Sequence, residues 1–226
     1  MVAEKSNRIF VIQSAGRKAE DGYLRGNAGR QLVFVADPAK APALPDVRFA
    51  HPDDLRPDGR SWRQYLVDYN ARDTNPIGLH RAIDLYAHPV YAHLASRLPP
   101  ERLYVLSPAW GLVRADYRLP NYEVSFSHGA HVPVHARRAE AQTWQDFNTI
   151  EAGAGDEIVF IGSKDYLAAF DALTRNSPAQ RLAYRSSGTG KGSPGLKFRR
   201  YEAKTKEAKN KAQWYYDLAY QLVPEA

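Results

Sequence analysis

Apolar residues gather along the chain into four short runs, each ending in a polar or glycine-containing turn. Arg8–Gln13 leads into Ser14-Ala15-Gly16-Arg17-Lys18, and Gln31–Ala36 leads into Asp37-Pro38. Arg102–Leu106 breaks into Ser107-Pro108-Ala109-Trp110-Gly111, and Glu157–Ile161 into Gly162-Ser163-Lys164-Asp165. Runs of this length bounded by turn residues read as strands. Between them the spacing becomes helical. Trp62, Tyr65, Leu66 and Tyr69 fall at i, i+3, i+4 and i+7, with Ser61 as the N-cap. Residues 77–98 read as two helical pieces broken near His88-Pro89, because proline interrupts a helix interior. Residues 136–150 and 163–174 give two further helices. A last helix is expected from about Lys197 to Val223, with Phe198, Tyr201, Thr205, Ala208, Ala212, Tyr215, Ala219 and Leu222 as its packing stripe.

Strands alternating with helices predict an α/β fold: a mostly parallel central sheet flanked by helices, ending in a long basic helix. Residues 1–185 would form the α/β domain. Residues 186–226 would form a Gly-rich hinge and a basic C-terminal helix packed on the same domain. Residues 37–60, rich in Pro and Asp, read as a long surface excursion. In sheets of this class ligands bind beyond the carboxyl ends of the strands. The turns after the strands are therefore the expected site, and Gln13, Ser14, Ser107, Trp110 and Ser163 belong to them.

Charge adds a partner. The net charge is +6. Residues 185–211 hold nine Lys or Arg against two Glu, while the other 199 residues carry 22 basic and 23 acidic groups. One segment thus supplies the basic character, beside Tyr, Phe and Trp, which is the footprint expected for a polyanion, most simply nucleic acid. Lys191, Lys197, Arg199, Arg200 and Lys204 are the candidate DNA contacts. Cysteine is absent, which excludes disulfides, thiolate metal sites and a cysteine nucleophile and fits a reducing compartment. No run approaches the ~20 apolar residues of a membrane span. A cytoplasmic protein is expected, with no obligate protein partner evident.

Several motifs narrow the chemistry by failing. Gly188-Thr189-Gly190-Lys191-Gly192-Ser193 suggests a phosphate loop, but Gly follows the Lys, the leading Gly is misplaced and no strand feeds it. It fits better as a flexible loop lying against a nucleic-acid backbone. His128, His131 and His135 are close in sequence, but Pro133 prevents a regular helix and no carboxylate is interleaved, so no metal is expected. Neither G-x-S-x-G nor a post-strand G-x-G-x-x-G occurs, so no cofactor is called for. Asp73, Thr74 and Asn75 precede an expected helix. They read either as caps or as a carboxylate and an amide aimed into a cleft.

The stretch from Ala82 to Leu98 followed by Leu103–Phe126 resembles the YaaA-like bacterial proteins. Their pattern is A-x-(D/E)-L-Y-x-S-P-x-F, then a strand ending I-L-S-A-x-(Y/H)-G-L-V, then P-Y-D. Asp84, Leu85, Tyr86, Pro89 and Tyr91 match the first part, and Leu106, Ser107, Gly111, Leu112 and Val113 the second. Pro120, Tyr122 and Glu123 match the third, with Asn121 inserted. The turn after the first strand stands where those proteins carry a small basic turn. The match covers about residues 75–175 and leaves out the Pro-rich excursion and the basic tail. The resemblance implies a uracil-glycosylase-like α/β fold associated with nucleic acid and modified bases. The chain is also similar to anti-phage DNA glycosylases that remove glucosylated hydroxymethylcytosine.

That implied activity sets requirements the residues can meet. A glycosylase flips its nucleotide out of double-stranded DNA into a pocket, stacks it on aromatics and reads its polar edge. Trp110, Tyr117 and Tyr122 are candidates for stacking; Asn75, Gln13 and Asn121 are candidates for reading. Cleavage develops oxocarbenium character, which a carboxylate stabilises. Asp73, Asp84, Asp116 and Glu123 are available. Asp73 and Asp116 are the catalytic candidates, with Asn75 reading the base. The expectation is a DNA glycosylase excising a modified base from foreign DNA. A non-catalytic YaaA-like DNA-binding stress protein and an enzyme acting on a free nucleoside or nucleotide are the alternatives.

Overall fold

The computed structural model describes residues 7–26, 29–126, 134–137, 144–187, 192–203 and 213–224. Lys191 and Lys204, His128 and His131, and residues 138–143 of the expected 136–150 helix lie outside them. Among the described residues the fold is α/β, built on a seven-stranded sheet that is mostly parallel. Its centre is β1 (Asn7–Gln13), whose run Ile9-Phe10-Val11-Ile12 is buried on both faces, as a central parallel strand requires.

The second sheet and first helix come next in the chain. Strands β2 (Leu24–Arg25), β3 (Gln31–Val35) and β4 (Val47–Ala50) form a smaller sheet, so part of the expected 37–60 excursion is a strand. Helix α1 (Trp62–Asn70) starts with a complete capping box. Ser61 Oγ accepts from Gln64 N and Gln64 Oε1 accepts from Ser61 N. The expected helix over 77–87 does not form. Its place is taken by β5 (His80–Arg81) and a series of turns, because Ala82 N and Ile83 N donate to the carbonyls of Tyr117 and Ala115. Helix α2 (Pro89–Ala95) begins at the proline, with His88 as N-cap.

Strand β6 (Leu103–Ser107) lies parallel to β1, and β7 (Gly111–Arg114) turns back antiparallel to β6. The turn needs glycine at 111, where φ is +91° and a Cβ would stand 2.4 Å from Phe147 O. Strand β8 (Arg118–Leu119) pairs with β5, and β9 (Tyr122–Glu123) joins the small sheet beside β3. Strand β10 (Phe147–Asn148) pairs with β7, in sequence read as helix.

Strand β11 (Asp156–Ile161) lies on the other side of β1, parallel to it. Helix α3 (Lys164–Thr174) and strand β12 (Gln180–Arg185) follow. The expected long C-terminal helix is corrected. Leu196–Arg200 is β13, a parallel edge strand on β12, and α4 (Trp214–Leu222) is short. Leu196 and Phe198 turn toward the core while Lys197 and Arg199 are exposed, an alternation that belongs to a strand. The sheet order is β10-β7-β6-β1-β11-β12-β13. Ile9, Val11 and Phe160 pack with Phe170 of α3 on one face. Phe10, Ile12 and Val159 pack with residues of α2 and α4 on the other.

Candidate functional site

The chain leaves β1 toward β6 on one side and later places β11 on the other. A parallel sheet with this order has its switch point between β1 and β11, and the loops after these strands part to leave a crevice. A cleft of 660 Å³ lies there. Gln13, Ser14, Gly16 and Arg17 line it from β1, and Ser163, Asp165 and Tyr166 from β11. His88, Gln213, Tyr215 and Tyr216 close it from α2 and the start of α4.

The two loops are tied across the crevice. Ser163 N donates to Gln13 Oε1 at 2.5 Å, so the acceptor end of that amide is engaged by the fold and Nε2 is its remaining donor. Gly162 permits this approach, because a Cβ there would stand 2.3 Å from the Phe160 ring and 3.0 Å from Gln13 Oε1. Behind Gln13 runs a buried hydroxyl network. Ser14 Oγ and Tyr166 Oη are 2.9 Å apart, and Tyr86 and Tyr122 hydroxyls 2.8 Å apart. Ser107 Oγ accepts from Trp110 N at 3.2 Å within its own turn. Tyr91 Oη donates to Gln13 O at 2.8 Å. Burial raises the pKa of Tyr86, Tyr91, Tyr122 and Tyr166, so all four remain neutral donors in ordinary solution. Burial also raises the Tyr215 and Tyr216 values.

His88 stacks on Tyr216 at 3.8 Å between ring centroids. Its Nδ1 accepts from Val90 N, which assigns the proton of the neutral ring to Nε2. Burial lowers its pKa and favours that neutral form. Lys18 lies just past the cleft wall. Its side chain is only 6% exposed, with Nζ 4.6 Å above the Tyr122 ring and 4.0 Å from the Glu123 carboxylate. Desolvation lowers its pKa, against the opposing pull of Glu123.

Of the residues the sequence singled out, the fold gathers Gln13, Ser14 and Ser163 at the cleft; Tyr122 is buried and paired with Tyr86, and Ser107 is buried in its own turn. Trp110 is fully buried, packed edge-on to Phe34 at 4.8 Å, and is a core residue. The turn that carries it is held by two guanidiniums: Arg63 donates to Ala109 O and Trp110 O, and Arg137 to Pro108 O. Arg63 in turn bonds Asp53, and Arg137 bonds Asp146 in a bidentate pair. Asn121 is also structural: Nδ2 donates to the carbonyls of Ala19 and Asp21.

The three residues given catalytic roles are not at the cleft. Asn75 folds its own loop, with Oδ1 accepting from Tyr69 Oη and Leu79 N and Nδ2 donating to Leu79 O. Asp73 is exposed in the same loop, which no helix follows. Asp116 is clamped by Arg114 at 2.7 and 3.0 Å. Lys197, Arg199 and Arg200 are exposed on the far edge strand, where charge also guards against edge pairing. Among the described residues no group of three or more His, Cys, Asp or Glu could hold a metal ion.

Sequence reasoning missed Tyr166, Asp165, Tyr215, Tyr216, His88 and Lys18. The Ser163-Lys164-Asp165-Tyr166 start of α3 and the basic turn ending at Lys18 were visible signals. The chain matches no protein-family model and is significantly similar to no curated protein. No helix among the described residues is long and apolar enough to cross a membrane.

Proposed function

We propose that the switch-point cleft binds a nucleic-acid base and that the protein cleaves the N-glycosidic bond of a modified base in foreign DNA, leaving an abasic site. The observation that carries this reading is the set of groups converging on one crevice: an amide donor at Gln13, the rings of His88, Tyr166, Tyr215 and Tyr216, and the carboxylate of Asp165. Rings receive a flipped base, an amide reads its edge, and a carboxylate answers the charge of the reaction. The bond from C1′ to the base nitrogen breaks and its electron pair leaves on the base. The sugar becomes an oxocarbenium ion, which Asp165 stabilises. Water then attacks C1′ and gives its proton to solvent or to Asp165. Asp165 takes the part that the sequence suggested for Asp73 or Asp116.

The resemblance to the YaaA-like proteins and to glycosylases acting on glucosylated hydroxymethylcytosine supports the choice of double-stranded DNA and of that base. A second reading, a DNA-binding protein without catalysis, is favoured by the exposed Lys197, Arg199 and Arg200 of β13. Incubating the protein with plain and with glucosylated hydroxymethylcytosine DNA separates the two. Alkali-labile sites and free base by mass spectrometry, on modified DNA only and lost in Asp165→Asn, are expected. Binding without base release favours the second reading; neither binding nor release refutes both.

A further inference from the structure

A second cavity, of 550 Å³, lies between the small sheet and α1 and has no part in the chemistry above. Three arginines line it, Arg25, Arg48 and Arg56, and no carboxylate is among the described residues that do; Arg25 also donates to Gly29 O at 3.0 Å. Asp58 stands 3.1 Å from Arg56 and is shared with Arg60. The walls are aromatic and apolar: Tyr23, Trp62, Tyr65, Pro57 and Ile77, the last 40% exposed. Arg56 already lies over the Tyr65 ring at 4.2 Å and the Trp62 ring at 5.2 Å. Trp62 is 7% exposed, and its indole Nε1 has no acceptor.

Excess positive charge without lining carboxylates demands an anion. Arginines, rather than lysines, match the forked geometry of a phosphate. Flat apolar walls beside them demand a planar body on that anion. We infer that this cavity is a nucleotide-phosphate site, taking a phosphate on Arg25 and Arg48 with its base against Tyr65 and Arg56. The combination of cationic groove and stacking ring is the one that single-stranded nucleic acid uses. One segment of chain joins the two cavities: Gly16 and Arg17 line the cleft, and Tyr23 to Gly26 line this site. That continuity suits a strand that reaches both. The inference rests on the second cavity's own residues and stands without the glycosylase reading.

Calorimetric titration tests it with four probes: dCMP, deoxycytidine, inorganic phosphate and a 12-nucleotide single strand. Binding of dCMP at least about 10-fold tighter than deoxycytidine is expected, because only the nucleotide brings the phosphate. In Arg25→Gln/Arg48→Gln, with the melting temperature unchanged, binding should fall at least about 10-fold. Binding of the strand but not of dCMP, lost in the same double variant, assigns the phosphate to a polymer. Binding of both assigns it to either source. Equal affinity for dCMP and deoxycytidine, binding indifferent to the double variant, or no binding by dCMP and strand alike overturns the inference.

Discussion

Gln13 separates folding from recognition within one side chain. It is 5% exposed, and its Oε1 receives Ser163 N at 2.5 Å, while the proposed reading gives Nε2 to the base. Gln13→Ala strands a buried backbone donor, which costs about 1–3 kcal/mol. In a chain of this length that lowers the melting temperature by roughly 2–4 °C for each kcal/mol. Gln13→Glu keeps the shape and strengthens the acceptor, since a carboxylate accepts a better hydrogen bond and sits at the positive end of α3. Its desolvation offsets part of that gain, so stability should stay within about 1 kcal/mol of the parent. The donor, however, is gone. A base acceptor then faces an acceptor, at a cost of about 1–3 kcal/mol, or roughly 10- to 100-fold in affinity. Calorimetric melting beside base release from modified DNA reads both halves. The reasoning fails if Gln13→Glu releases base at the parental rate, or if Gln13→Ala melts with the parent.

The other predictions concern single groups. Trp110→Ala should cost about 3–5 kcal/mol, because a fully buried ring leaves a cavity, and early melting without a selective loss of binding checks it. Lys18→Met should raise the melting temperature at neutral pH by removing a buried charge. The folded pKa of Lys18 is lowered, so the parent gains stability as pH rises from that value to the unfolded 10.5, and the advantage of the variant should shrink over that window. A constant advantage up to pH 10.5 would refute the shift. His88→Asn keeps an acceptor at the α2 N-cap and removes the titration. Because the folded pKa of His88 is lowered, its contribution is complete above 6.5 and is lost as pH falls through the folded value. Parent and variant melting curves should therefore diverge on acidification in the variant's favour.

Elements with a local cause were legible before any fold was known. Ile9–Ile12, Leu103–Leu106 and Ile158–Ile161 are continuous apolar runs, and such runs become central parallel strands because both their faces must be covered. Ser61 with Gln64 set the start of α1, and Pro89 that of α2. Strand ends also put Gln13, Ser14 and Ser163 along one cleft, since parallel strands deliver their next residues to one edge, while Ser107 stays buried in its turn. Contacts between distant segments set the rest. Residues 77–87 have helical spacing, yet their amides are claimed by the carbonyls of Ala115 and Tyr117, more than 30 positions on. Lys197–Arg200 look helical in a charged tail, but β12 offered an open edge and drew them into a strand. Asp73, Asn75 and Asp116 have suitable chemistry, but each answers to a partner or surface away from the crevice. The rings of His88, Tyr215 and Tyr216 reach Gln13 only because α2 and α4 pack over the same end of the sheet, a contact between segments 70 to 200 residues apart that no local pattern encodes.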